Sequence, residues 1–202
     1  MSQTHSSESR TASERHAKPA LEVEFRLQPN VLTLEYKVKN TRNHAIYLFN
    51  VIWDLDSNGG YVRASLPLYA CMKQGAVLHL AKTILPLPRN RKVYLRIVPF
   101  VTKVEAGSIF EETLQMPLPL PEHNVYFPAR PDSKYKLIDA HSVVLSLQFI
   151  EDMPDIEAEP APLPNAIFLQ HPKLFPLVET VQSEPQPLRV PVNKRQDEFE
   201  EF

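Results

Sequence analysis

Two consecutive stretches near the start of the chain alternate apolar and polar residues with a period of two. In LEVEFRLQ, residues 21–28, every second residue is apolar, and VLTLEYKVKN, residues 31–40, repeats the pattern after Pro29 and Asn30. Successive side chains of a β-strand point to opposite faces, so this period indicates strands with one buried face. The sequence therefore predicts two half-buried strands joined by a turn.

The stretch IYLFNVIWDLDSNGG, residues 46–60, begins with a run that is apolar at both alternating sets of positions. Such a run predicts a strand covered on both faces, in the middle of the structure. Asn50 is the one polar residue within this run. Its amide must find hydrogen-bond partners there, because a buried amide without them costs about 1–3 kcal/mol. The polar half predicts a hairpin in which Asn58 and Gly59 adopt the left-handed conformation before a strand that starts at Tyr61.

Further stretches of the chain have the composition of strands, whereas helical periodicity is scarce. These stretches are residues 61–65, 76–85, 92–98, 109–116 and 142–150. Many short strands with turn signals at intervals of about 8–12 residues are typical of a sandwich or barrel. We expect an all-β fold, an antiparallel sandwich of two aligned sheets.

The limits of this patterning predict the domain organisation of the N-terminal three quarters. Residues 1–20 are polar and serine-rich, which predicts a disordered tail. Residues 21–151 hold the patterned stretches and form the predicted sandwich domain. Within it, the proline-rich residues 117–136 are expected to cross the outside of the sheets in extended form.

The composition of the remaining chain divides it into three parts. Residues 152–166 are acidic and proline-rich and predict a linker, and residues 167–192 hold short apolar stretches between prolines, which predict an extended segment or edge strands. Residues 193–202 form an acidic tail that ends in DEFEEF. We expect these parts to be a proline-rich extension of the sandwich.

The run from LTLEYKVKNT through IYLFNVIWDLDSNGGYV, together with VEAGSIFEETLQM at residues 104–116, resembles immunoglobulin-like sandwich domains of the bacterial intracellular proteinase inhibitor type. In that family a strand ending in Asn leads to a hydrophobic strand, an Asp- and Gly-containing hairpin and, later, a turn before a Glu-bearing strand. The resemblance covers residues 31–116 and implies an immunoglobulin-like fold. Trp53 is the only tryptophan in the sequence, so the tryptophan-flanked segments usual in the family are missing and no inhibitory residue is transferred.

Composition excludes several classes of function. The 202 residues include 20 prolines but only four glycines, which leaves no glycine-rich phosphate loop or dinucleotide fingerprint. The formal net charge is -2 and the basic residues are scattered, so the chain has no basic field for nucleic acid. No stretch approaches the roughly 20 apolar residues that span a bilayer. The lone Cys71 and an N-terminal region without an apolar core predict a cytoplasmic protein without a membrane partner.

The aspartates of the hairpin are the candidate metal ligands. Asp54, Asp56 and Asn58 match the first half of an EF-hand loop, in which alternate residues supply oxygen ligands to calcium. The second half does not match, because Ser65 stands where the loop requires a bidentate glutamate. A looser calcium site, or a carbohydrate site, at this loop stays open beside the plain hairpin.

No arrangement in the sequence indicates an enzyme. Cys71 lies among apolar residues with no base partner in sight, which favours structural packing over nucleophilic chemistry. His79 interrupts an apolar strand and is expected to face solvent or a hydrogen-bond partner rather than a metal. Because catalytic groups of β folds usually come from separate loops, an enzyme with loop-borne groups stays open as a further alternative.

The acidic, aromatic end of the chain is the candidate partner-binding segment. Phe199 and Phe202 stand among glutamates and are suited to docking into a groove of a basic partner. We therefore expect a non-enzymatic intracellular module that binds a protein partner, through a sheet edge or through its proline-rich C-terminal segment. No cofactor is implied apart from the open calcium hypothesis.

Overall fold

The computed structural model describes residues 18–171 and 173–202 and confirms the all-β fold. Residues 1–20 are the predicted disordered tail, and residues 1–17 of it lie outside the described residues. Lys18 and Pro19 are the first described residues, and the first strand begins at Ala20. The described residues contain a single helical turn, and all other regular elements are strands.

The elements follow one another along the chain with short connections. The strands are β1 (Ala20–Gln28), β2 (Val31–Lys39), β3 (Ile46–Val51), β4 (Trp53–Leu55), β5 (Tyr61–Arg63), β6 (Tyr69–Lys73), β7 (Val77–Lys82), β8 (Phe100–Val104), β9 (Ile109–Pro117), β10 (Leu120–Pro121), β11 (Tyr135–Glu151), β12 (Glu157–Pro160), β13 (Ile167–Gln170), β14 (Glu179–Gln182) and β15 (Gln186–Arg195), and the helical turn is α1 (Leu174–Leu177).

A small antiparallel sheet has the strand order β1-β2-β9. β1 pairs with β2 over nine residues, from Ala20 opposite Lys39 to Gln28 opposite Val31, without a register shift. In β2 the apolar set Leu32, Leu34, Tyr36 and Val38 is buried, which confirms the half-buried strand that the alternation predicts.

The large sheet is built around the 17-residue strand β11. One side of β11 pairs with β15 and then β14, both antiparallel. The other side pairs with β7 in parallel and then with β3 in antiparallel orientation. The expectation of purely antiparallel sheets is therefore wrong, because the chain that leaves β7 crosses to the small sheet before it returns in β11.

The small sheet packs on one face of the large sheet and forms the main core. Leu32 and Leu34 of the small sheet share a cluster with Leu80, Leu145 and Leu147 of the large one, all fully buried. The opposite face of the large sheet, which we call the far face, carries smaller clusters. β3 confirms the prediction of a doubly covered strand, because Leu48 lies in the main core and Phe49 lies in a far-face cluster.

The C-terminal region is part of the sheets rather than an extension. The predicted linker, residues 152–166, contains β12, and its Leu163 and Ala166 pack with Val51 and Phe100. The predicted edge segment, residues 167–192, supplies β13, α1, β14 and most of β15. Val190 and Val192 are fully buried in the main core, so the chain after β11 completes the fold.

Two other predictions about segments are wrong. Residues 92–98 alternate like a strand but have no strand partner, and Tyr94 and Leu95 are exposed. Residues 117–136 do not cross the outside of the sheets, because five of their side chains are buried. These are Leu120, Glu122, Asn124, Tyr126 and Phe127. The carboxylate of Glu122 accepts hydrogen bonds from the backbone N–H groups of Met72 and Arg195, so this segment joins β6 to β15.

Candidate functional site

The far face of the large sheet has a floor formed by β6 and β7. Tyr69 lies opposite Ala81 and Cys71 lies opposite His79 in the antiparallel register of these strands. Their neighbours Ala70, Leu78 and Leu80 point into the main core, because side chains of a strand alternate between its faces. Tyr69, Cys71 and His79 are thereby brought together on the far face.

The predicted partner-binding phenylalanines lie on this face in the same chain. The ring of Phe202 lies 5.6 Å from the ring of His79 and 6.2 Å from the ring of Tyr69, between centroids. The ring of Phe199 lies 6.2 Å from that of Phe127, between centroids. The guanidinium of Arg195 lies 5.8 Å from the centroid of the Phe199 ring. Both phenylalanines are half-buried, so residues 197–202, the docked segment, occupy a groove of their own protein.

Polar contacts to the docked segment involve one backbone oxygen and two carboxylates. The amide Nδ2 of Asn124 donates to the carbonyl oxygen of Glu200 at 3.0 Å, and the backbone N–H of Arg89 donates to the Glu200 carboxylate at 3.2 Å. The guanidinium of Arg195 donates to both carboxylate oxygens of Asp197, at 2.6 and 2.7 Å. These hydrogen bonds hold the pKa of Asp197 well below its usual range. We call the contact residues Tyr69, His79, Arg89, Asn124 and Phe127 the docking groove.

An open cleft of about 640 Å³ runs beside the docked segment. Pro86, Leu87, Arg89 and Asn90 form one wall, and residues 198–202 form the other. Arg91 lies close by, where its Nη1 donates to the carbonyl oxygen of Tyr126 at 2.6 Å. The protein side of the groove thus combines aromatic rings with arginines, whereas the docked segment combines phenylalanines with carboxylates.

The cysteine and histidine under Phe202 are both neutral at pH 7. Burial raises the pKa of the Cys71 thiol to about 11 and lowers the pKa of His79 to about 4. His79 Nε2 is hydrogen-bonded to Ser146 Oγ at 2.8 Å, as expected for a histidine with a polar partner. A nucleophilic cysteine requires a lowered thiol pKa, so the environment of Cys71 favours structural packing.

The predicted metal ligands lie at the β4–β5 hairpin. Asp56 Oδ1 accepts hydrogen bonds from the backbone N–H groups of Asn58 and Gly60, both at 2.8 Å, and Asp54 Oδ1 accepts one from Leu55. Gly59 is left-handed with φ of 78°, whereas Asn58 has no positive φ. The prediction of a left-handed conformation is therefore right for Gly59 and wrong for Asn58. The N–H of Gly59 donates to the carbonyl oxygen of Asp56 at 3.0 Å, so this glycine closes the turn of the hairpin.

The carboxylate of Asp56 thus has a structural role in the turn. Among the described residues, no group of three or more His, Cys, Asp and Glu side chains is placed to hold a metal ion. The calcium hypothesis for Asp54, Asp56 and Asn58 gains no further ligand from the fold and stays a prediction.

The outer edge of β1 is a second candidate site. Among the described strands β1 pairs only with β2, so its other edge carries no strand. The carbonyl oxygen of Val23 accepts a hydrogen bond from Nε2 of Gln186 at 2.8 Å, which shows that the backbone of Val23 points outward. Since the direction alternates along a strand, the N–H and C=O groups of Leu21, Phe25 and Leu27 point to the same edge.

The sequence analysis missed the docking groove and pointed only to Phe199 and Phe202, as residues for docking on a partner, which stays a prediction. The groove comes from β6, β7 and the loops before β8 and β11, which converge only through the pairing of distant strands. The aromatic spacing of NVYF, residues 124–127, is the only sequence signal for it, and it lies in a segment whose prolines indicate a connector.

Comparison with known proteins gives no relative: no family model, curated protein or solved structure matches the chain. In the described part of the chain there is no helix with the length and apolar character needed to span a membrane.

Proposed function

We propose that the protein is a non-enzymatic interaction module with an immunoglobulin-like sandwich fold, which binds an extended segment of a protein partner at the outer edge of β1. The observation that carries this proposal is the nine-residue β1, paired along its whole length on one side and without a strand on the other. The lone, fully buried Cys71 supports a cytoplasmic location, where thiols stay reduced.

β1 lacks three of the features that usually protect an edge strand, although its exposed face carries charged residues and its Val23 carbonyl accepts a side-chain hydrogen bond. Natural edges are blocked by proline, by a bulge or by very short length. β12, at the edge of the large sheet, has four residues and ends at Pro160, and β9, the other edge of the small sheet, ends at Pro117. β1 contains no proline and its pairing has no register shift. An edge of this length is suited to strand addition.

The side chains of β1 leave room for an added strand. Leu21, Val23 and Phe25 face the core but are only half-buried, and Leu27 is exposed. An added strand gains main-chain hydrogen bonds, each worth about 0.5–1.5 kcal/mol net, and covers these side chains. The alternative route through the proline-rich C-terminal segment has less support, since β14 and β15 are already paired with β11.

The test compares backbone with side-chain changes at the edge of β1. Leu27→Pro removes an outward N–H at an exposed position, and Arg26→Ala removes a side chain but keeps every backbone donor. Full-length protein carrying a photo-crosslinking amino acid at Glu24 is irradiated in native lysate. We expect one crosslinked partner that Leu27→Pro loses and Arg26→Ala keeps. Equal crosslinking of both variants, with cooperative unfolding intact, contradicts the proposal.

A second candidate function is carbohydrate binding beside the residue 54–58 loop. Trp53 and Tyr61, which flank this loop, form an aromatic group with Phe100 and Phe168 in which centroids lie 4.9–6.2 Å apart. Tyr61 and Phe168 are each at least 40% exposed, and sugar rings bind on such surfaces. Titration calorimetry against a set of neutral and acidic oligosaccharides tests it, and heat that Tyr61→Ala does not reduce contradicts this site.

A further inference from the structure

The docking groove contacts two phenylalanines that are three positions apart in the chain. Phe199 is held by Phe127 and Arg195, and Phe202 is held by Tyr69 and His79. Between these two positions, the amide of Asn124 and the backbone N–H of Arg89 bind the backbone and the side chain of Glu200. The contacts define two aromatic residues separated by two positions, of which the first, Glu200, is acidic and bound.

The docked segment is held by few contacts compared with the strands. β15 ends at Arg195, so residues 197–202 are outside the ladder of the sheet. Glu198 and Glu201 are exposed, and Phe199, Glu200 and Phe202 are only half-buried. Segments with few buried contacts open at low free-energy cost, well below that of global unfolding. The low number of buried contacts therefore favours local opening of the groove.

Charge adds to the fit between segment and groove. The segment contains Asp197, Glu198, Glu200 and Glu201, and arginines 89, 91 and 195 lie beside it. Aromatic rings supply buried contact area, and charge of opposite sign steers association and suppresses other partners.

We propose that the docking groove is a binding site for acidic peptide segments with two phenylalanines separated by two residues, and that residues 197–202 occupy it in cis. A partner segment of this chemistry displaces the docked segment. This site is separate from the edge of β1, so the two proposals stand or fall independently. Because a tethered ligand acts at an effective concentration in the millimolar range, the wild-type chain binds a free peptide more weakly than a chain with a disabled segment.

Cys71 is a natural reporter for the state of the groove. It is the only cysteine in the sequence, and its Sγ lies 4.0 Å from the carbonyl oxygen of Phe202. Its side chain is fully buried in the closed state. When the docked segment leaves, the thiol becomes accessible to a thiol reagent, and when a peptide takes its place, the thiol is covered again.

The experiment uses the full chain with Phe199→Ala and Phe202→Ala, and the synthetic peptide DEFEEF as the probe. We expect the double variant to react with a thiol reagent about tenfold faster than wild type, since local opening limits the rate. DEFEEF should slow this reaction saturably. A peptide with alanine in place of both phenylalanines has the same charge and should not slow it.

Fluorescence polarisation of labelled DEFEEF should show binding to the double variant that is at least about tenfold tighter than to wild type. A cooperatively unfolding double variant whose Cys71 reactivity DEFEEF leaves unchanged, or which both peptides protect equally, overturns the proposal. Should the double variant not unfold cooperatively, Phe202→Ala alone, which retains the contact of Phe199 with Phe127, replaces it and is judged by the same readings.

Discussion

Lys82 places an ammonium group between the two sheets. Its side chain is 1% exposed, and its Nζ donates to the carbonyl oxygen of Asn50 at 2.9 Å and to the carboxylate of Glu112 at 2.5 Å. The hydroxyl of Tyr36 also donates to Glu112. Burial lowers the pKa of Lys82, so Glu112 and Asn50 are what keep its charge in the core. The ammonium binds the backbone oxygen of Asn50, which any residue at this position would supply. The side-chain Oδ1 of Asn50 is buried without a hydrogen-bond partner among the described residues, so the cluster does not explain the asparagine.

Removal of the carboxylate from this cluster should destabilise the protein more than removal of the ammonium. Glu112→Gln leaves a buried cation without a counter-charge, which we expect to cost about 3 kcal/mol of unfolding free energy. Lys82→Met leaves a carboxylate that is 22% exposed and still bonded to Tyr36, and it should cost about 1 kcal/mol. Urea denaturation of both variants at pH 7 measures the difference, and equal costs contradict the assignment.

His79 should make stability depend on pH below neutrality. Burial lowers its pKa to about 4 in the folded chain, whereas an unfolded histidine titrates near its usual 6.5. Between these values the unfolded chain binds a proton that the folded chain does not, so stability falls as the pH falls from 6.5 to 4. Because His79 is partly in contact with solvent, we reduce the expected loss of unfolding free energy from about 3 to about 2 kcal/mol.

The variant His79→Gln keeps a hydrogen-bonding side chain beside Ser146 and should remove this part of the acid sensitivity. His141→Gln is the control, because His141 is exposed on β11. Thermal unfolding at pH 4, 5.5 and 7 gives the comparison. Half-buried His123, whose pKa is also lowered by burial, supplies a residual slope in both variants. An unchanged slope in His79→Gln contradicts the prediction.

At the scale of elements, β15 is the strand whose sequence is least typical of its position. It contains Pro187 and Pro191, yet it pairs with β11 over most of its length. Proline lacks the N–H of a ladder and is confined to edges and bulges. Pro187 lies beside a bulge, because the register between β15 and β11 shifts next to it. Pro191 lies on an edge, because β10 pairs with β15 only at Val192 and Asn193.

The burial of β15 leads to a test. Val192→Ala should lower the unfolding free energy by about 2–3 kcal/mol, because Val192 is fully buried in the main core. Arg189→Ala, on the exposed face of the same strand, should cost less than about 1 kcal/mol, since its pair with Asp139 is at the surface. Urea denaturation compares the two, and similar values contradict the placement of β15 in the core.

The alternating pattern predicts a strand well where one face of the strand is exposed to solvent. It gave β1, β2 and β9 nearly to the residue, because their exposed sides carry charges. It failed for residues 92–98, since alternation states which side chains share a face but not whether another strand is there to pair. The same limit hid the docking groove, whose two halves lie more than 100 residues apart between His79 and Phe202. Pairing across that distance is a property of the whole chain.

At the scale of the whole molecule, the described chain folds as one unit in which residues 179–195 complete the sheet. A chain that ends at Glu151 lacks Val181, Val190 and Val192 of the main core and both strands on one side of β11. We expect it to lose cooperative thermal unfolding and near-ultraviolet circular dichroism. A chain that ends at Gln196 lacks only the docked segment and should keep both. Cooperative unfolding of the shorter chain contradicts the single unit.

β11 also fixes when the protein is able to fold. Its partners are residues that precede it in β3 and β7 and residues that follow it in β14 and β15. A ribosome makes the chain from the N-terminus, so β11 emerges before half of its partners have been synthesised. Pairing between distant segments is slow, and apolar strands that wait for partners aggregate. The described fold therefore forms only after β15 has been synthesised, and until then the apolar residues on one side of β11 lack their partner strands.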